Sequence, residues 1–143
     1  MQAPINFHSQ KGAFLLEALI AILIFSMGIL ALVGLQATAI NSVSESKYRT
    51  DAAFLANEII GRMWVSDRNN IDAFNYPGGG AQPLAAWADK VDAALPGVGA
   101  NPPQITVAGN ALNGYTVTVT MNWQAPGAAN PSQHTEIAFI HNP

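Results

Sequence analysis

The sequence contains no cysteine. That excludes disulfides, zinc–thiolate sites, iron–sulfur clusters and thiol catalysis, and it makes the chain indifferent to its redox compartment. Charge is nearly as scarce. Only 10% of residues are Asp, Glu, Lys or Arg, against about a quarter in an ordinary globular domain. Six basic residues against nine acidic ones leave a net charge of -3 and a pI near 5.4. That balance lacks the electrostatic footprint of nucleic-acid binding, and no nucleic-acid partner is expected. Disorder needs the opposite composition, rich in charge and poor in apolar residues; here apolar types make up 50%.

Sites with recognisable chemistry are missing too. There is no G-x-S-x-G nucleophile motif. The run Gly78-Gly79-Gly80 is not followed by the G-K-[ST] of a phosphate loop. His8 stands near the N-terminus, and His134 and His141 are seven apart on one expected strand, hence on opposite faces. Asp67, Asp72, Asp89 and Asp92 match no EF-hand-type calcium loop. No enzymatic activity, cofactor or metal is expected. The 143 residues leave room for one domain, or one domain and an anchor.

What is present in excess is concentrated in one segment. Ala13 to Leu35 reads AFLLEALIAILIFSMGILALVGL and carries a single charge, Glu17. At a rise of ~1.5 Å per residue the segment spans roughly 35 Å, enough to cross a bilayer core of about 30 Å. A buried core helix is the bland alternative, but a domain of this size has too little protein to cover such a helix on all sides. A secretory signal peptide is another, and Ala37-Thr38-Ala39 even offers a cleavage pattern. The run is longer than the usual ~7–15-residue apolar core of a signal peptide, and it carries a carboxylate near its start.

Glu17 is the most informative residue. An ionisable group in a membrane helix costs ~2.5–3.5 kcal/mol on insertion scales and points to a function. The bland alternative is a headgroup-level residue on an uncut anchor. A cut between Gly12 and Ala13 would instead set a new amine four positions from Glu17 at a helix start, where a carboxylate suits the helix dipole.

The run KGAFLLEALIAILIFSMGILAL resembles the N-terminus of a type IV prepilin. That family has a short polar leader ending in Lys/Arg-Gly, cleavage after the Gly, Glu at the fifth mature position and a long apolar helix. Gly12, Ala13 and Glu17 occupy those positions. The first mature residue is Ala13 where Phe is commoner, and Phe14 stands where Ser or Thr is common. The resemblance implies cleavage after Gly12, N-methylation of Ala13 and a role for Glu17 in assembly and register. It also implies a flexible helix region around Ser26, Gly28 and Gly34.

Beyond Leu35 no proline occurs until Pro77. Tyr48, Ala52, Leu55, Ala56, Ile59, Ile60, Met63 and Trp64 follow the spacing of one apolar helix face. Glu45–Arg49, Lys47–Asp51 and Glu58–Arg62 are opposite-charge pairs at i,i+4, worth a few tenths of a kcal/mol each. A single helix from about Phe14 to about Val65 is expected. Asn69 to Gly80 reads as a loop. Leu84, Trp87, Val91 and Leu95 share one face of a short helix from Pro83 to Leu95. Gln104–Ala108, Tyr115–Gln124 and Gln133–His141 read as strands. In the second, Tyr115, Val117, Val119, Met121 and Trp123 alternate with polar residues; in the third, Ile137 and Phe139 share a face. An α+β unit results, in which an antiparallel sheet lays its apolar face on the stripe from Tyr48 to Trp64.

Long helix, connector, then antiparallel strands is the arrangement of the type IV pilin fold. The resemblance implies a leader over 1–12, a transmembrane or filament-core helix half over 13–35, and a periplasmic headpiece over 36–143. Within the headpiece the helix continues to about 65, a connector covers 66–103 and strands cover 104–143. The stretches IFSMGILALVGLQ and AAFLANEIIGRM resemble the PilV family of minor type IV pilins, low-abundance subunits that help start and cap the pilus. The absence of cysteine departs from major pilins, which usually close a C-terminal disulfide loop. Trp64-Val65-Ser66-Asp67 resembles minor pseudopilins of type II secretion, the alternative reading. A membrane-anchored binding or enzymatic domain is a third. The implied partners are other major and minor pilins, the prepilin peptidase, the assembly platform and, before assembly, the inner membrane. The implied destination is the extracellular pilus, with adhesion, twitching motility and DNA uptake as downstream roles.

Overall fold

The computed structural model describes residues 11–81 and 83–141. Most of the expected leader, including His8, lies outside them. The described elements are α1 (Lys11–Trp64), a 3-10 helix (Arg68–Phe74), α2 (Pro83–Ala94), β1 (Gln104–Asn110), β2 (Gly114–Trp123) and β3 (Ser132–Ile140). The expected α+β layout of one long apolar helix and a small antiparallel sheet is present. The chain divides into two compact units, one ending at Ser42 and the other beginning at Val43.

In the first unit the described residues form helix alone, and from Gly12 to Ser42 no residue is buried. In the second, one face of α1 is buried through Ala52, Leu55, Ala56, Ile59, Ile60 and Met63, with Tyr48 packed at its margin. The helical period places these on one stripe, as expected. Trp64 is a correction: it is 45% exposed. It follows Met63 by one residue, about 100° around the helix, and so falls off the stripe at the last turn. Its ring instead meets Arg68, whose guanidinium carbon lies 5.6 Å from the centroid.

The connector is more ordered than a loop. Asp67 caps the 3-10 helix, its side chain accepting from the Asn69 N–H at 3.0 Å, and Ile71 and Phe74 are buried. In α2, Leu84, Trp87, Val91 and Leu95 or its flank face the core, all buried as the spacing predicts. The Trp87 indole donates to the Leu55 carbonyl at 2.9 Å, which satisfies a polar tip inside an apolar core.

The sheet is antiparallel with β2 central. Ile105 pairs with Val119, Val107 with Val117, and Val117 in turn with Ala138. Tyr115, Val117, Val119, Met121 and Trp123 are all buried, so the alternation of β2 reads through directly. The β1–β2 connection is tied by Asn110, whose Oδ1 accepts from the N–H groups of Leu112 and Asn113. Gly114 begins β2 at φ +89, and a Cβ there would meet Phe139 Cζ at 2.7 Å. A glycine suits that position on both counts. Ile137 and Phe139 share a face as expected, but it is the outer one: they are 65% and 54% exposed. The sheet's apolar face is supplied by β2 with Ile105, Val107, Ala138 and Ile140.

Candidate functional site

The apolar part of α1 is the candidate site. By length and composition this helix is able to cross a membrane, and none of its most apolar window is buried. Between Lys11 and Glu45 the only charged residue is Glu17, and its side chain is exposed. Gly12 and Ala13 lie in the first turn of α1 as described, so Glu17 stands about one helical turn from Ala13. That spacing brings residues i and i+4 to the same face.

Ser26, Gly28 and Gly34 all sit within continuous α-helix. The Ser26 hydroxyl donates to the Ile22 carbonyl at 2.7 Å, and Thr38 does the same to Gly34 at 3.2 Å. Both polar side chains are thus turned onto the helix backbone. A Cβ at Gly28 or Gly34 would meet nothing within 4 Å. Among the described residues no close approach requires glycine at either place.

The second half of α1 holds its charges in pairs. Lys47 bonds Asp51 at 2.8 Å, and Glu58 accepts from Arg62 at 2.8 Å and from Lys90 of α2 at 2.7 Å. Lys90 first and Arg62 second hold the Glu58 carboxyl below its ordinary value. This group lies outside the 13–35 segment. Glu45, expected to meet Arg49, instead accepts from the Trp123 indole at 3.1 Å, which ties the helix to the end of β2.

Elsewhere two depressions lie on the surface of the described residues. A shallow depression of ≈ 510 Å³ lies over Tyr76, Gly78 to Ala81, Leu84 and Asp89. A second, of ≈ 410 Å³, is lined by Ser66, Asp67, Asn70, Ala73 and Phe74. Neither gathers a group of titratable side chains. Among the described residues no three His, Asp or Glu side chains converge as metal ligands. His134 and His141 take opposite faces: His134 Nε2 lies 3.4 Å from Glu136, while His141 stacks on Phe139 at 6.0 Å.

Two of the features that escape the sequence pattern lie on exposed faces. One is the contact of Arg68 with Trp64. The other is the outer face of β3, where the phase of Ile137 and Phe139 against the buried residues of β2 was the available signal. No protein-family model, curated protein or solved structure matches this chain.

Proposed function

We propose that this chain is a membrane-held prepilin of the minor type IV pilin kind, a structural subunit that contributes to starting and assembling a pilus filament. The observation that carries the reading is the division of one continuous helix. Its first half is apolar around its whole circumference with one carboxylate near the start, and its second half is apolar on one face only. A membrane and a filament interior both demand the first pattern. A headpiece held outside them demands the second.

In this reading a peptidase cuts after Gly12, and Ala13 becomes a methylated N-terminus. Before assembly the helix holds the subunit in the inner membrane with the headpiece in the periplasm. In the filament the same helix packs among those of other major and minor pilins. Glu17 then needs a cation, because an unpaired buried charge is unfavourable by several kcal/mol. The amine of Ala13, in the same subunit or a neighbour, supplies it and sets axial register.

Two measurements test this. Mass analysis of the mature N-terminus is expected to begin at Ala13; a chain beginning at Ile40 would show signal-peptide cleavage and end the reading. Glu17→Ala and Glu17→Gln are expected to keep membrane insertion while subunit recovered in sheared filaments falls at least tenfold. Wild-type recovery for both would reduce Glu17 to an anchor residue.

A further inference from the structure

The two edges of the sheet are not alike. On β1 the outward N–H and C=O of Ile105 are both taken by Tyr76, each at 2.9 Å, and the outward N–H of Val107 donates to Asn75 Oδ1 at 2.9 Å. These contacts set the phase of the whole ladder. Odd residues of β1 point away from β2, so its even residues bond to the even residues of β2. The odd residues of β2 are then left for β3, and they face its even residues: Tyr115 faces Ile140, Val117 faces Ala138 and Val119 faces Glu136. Gln133, Thr135, Ile137 and Phe139 therefore turn their N–H and C=O groups to the free edge. Among the described residues no backbone partner meets them there.

An open edge is a template for another strand. Edges that avoid pairing carry Lys, Pro or a bulge. The strand SQHTEIAFI has neither residue and runs in unbroken register with β2 from Ser132 to Ile140. Its outer face adds the exposed apolar pair Ile137 and Phe139. Its inner face carries Glu136, half-exposed beside His134. An inward-facing charge at an edge blocks indiscriminate pairing, and it admits a strand that answers the charge.

We infer that the free edge of β3 is a docking site for an extended strand of another protein, one that sets apolar side chains beside Ile137 and Phe139 and a basic side chain beside Glu136. Backbone bonds supply the attachment and the two faces supply the selection. The strand comes from a different chain, because β3 itself has no Lys or Arg to offer Glu136 in a second copy, and its His134 already lies 3.4 Å from Glu136 within the same strand. This assignment rests on the sheet alone and holds whether or not the chain enters a filament.

The test uses the full chain in non-ionic detergent micelles and residue-resolved amide hydrogen exchange. The probes are a synthetic ten-residue peptide alternating valine with lysine, and its counterpart with glutamate in place of lysine. The lysine peptide is expected to slow exchange at Gln133, Thr135, Ile137 and Phe139 at least tenfold, and the glutamate peptide to leave them unchanged. Ile137→Pro is expected to abolish the effect with the fold retained, since its N–H faces outward, where an edge strand tolerates proline. Glu136→Gln is expected to remove the preference between peptides, and it decides the matter if the proline variant fails to fold. Equal responses to both peptides, no response, or slowing outside β3 would overturn the proposal. So would protection of the four amides in the chain alone that is lost on dilution, which would assign the edge to a second copy.

Discussion

The two halves of α1 are helical for different physical reasons. Up to Ser42 the helix exposes its whole circumference, and Leu15, Leu19, Leu23 and Leu30 are all more than 60% exposed. From Val43 onward one stripe is sealed, and Ala52, Ala56, Ile59 and Met63 are fully buried. The second half is held by packing, the usual source of helix stability in water. Among the described residues of its own unit the first half has no such partner. Its backbone is satisfied internally, which makes it suited to hydrocarbon. The second half could not replace it, because its charges would need water or each other.

The sharpest way to break the second half without touching the first is Trp87→Ala. Its ring is buried to 1% and its indole N–H holds the Leu55 carbonyl. Truncation is expected to cost ~3–5 kcal/mol, from the cavity and the lost indole bond to the Leu55 carbonyl. Chemical denaturation followed by tryptophan fluorescence measures it, with membrane-fraction recovery expected to stay at the wild-type level. A parallel loss of membrane recovery would mean that the first half leans on the headpiece.

Neighbouring residues at the end of α1 give a finer contrast. Met63→Ala is expected to cost ~2–5 kcal/mol, since Met63 is fully buried. Trp64→Ala, which removes a far larger side chain, is expected to cost only about 1 kcal/mol or less, because that ring is half-exposed against Arg68. Equal losses from the two would place Trp64 in the core.

That contrast also marks where the sequence was legible. Period carried the stripe from Ala52 to Met63, the face of α2 and the alternation of β2, because in each the buried set recurs over several turns or pairs. It misplaced Trp64 because one residue at the end of a run fits a stripe loosely. Ile71 and Phe74 were missed because a seven-residue 3-10 helix is too short to show a period. The bonds that close the edge of β1 come from Asn75 and Tyr76, about thirty residues away in the chain, and no local pattern encodes them. The roles expected of Gly12, Ala13 and Glu17 rest on the resemblance of an N-terminal segment to type IV prepilins, a signal that depends on no tertiary contact at all. For the same reason the folded headpiece adds nothing to their reading.

The smallest expected effect concerns the paired charges of the second half. Glu58 accepts from Lys90 and Arg62, and both bonds favour its ionised form, so its folded pKa lies below the ordinary 4.5. A carboxylate with a depressed folded pKa adds stability that is fully present above its unfolded pKa and disappears as pH falls through the folded value. The pair is near the surface, so the contribution is expected to stay below about 1 kcal/mol and to shrink in high salt. Denaturation of wild type and Glu58→Gln in parallel is the measurement. The stability difference between them should be constant from pH 7 down to about 5.5 and should diminish as pH falls through about 4.5, where the unfolded carboxyl is half protonated. A difference that grows toward acid would reverse the sign and show that Glu58 is better accommodated protonated. The two cations would then have to be held by something other than its charge.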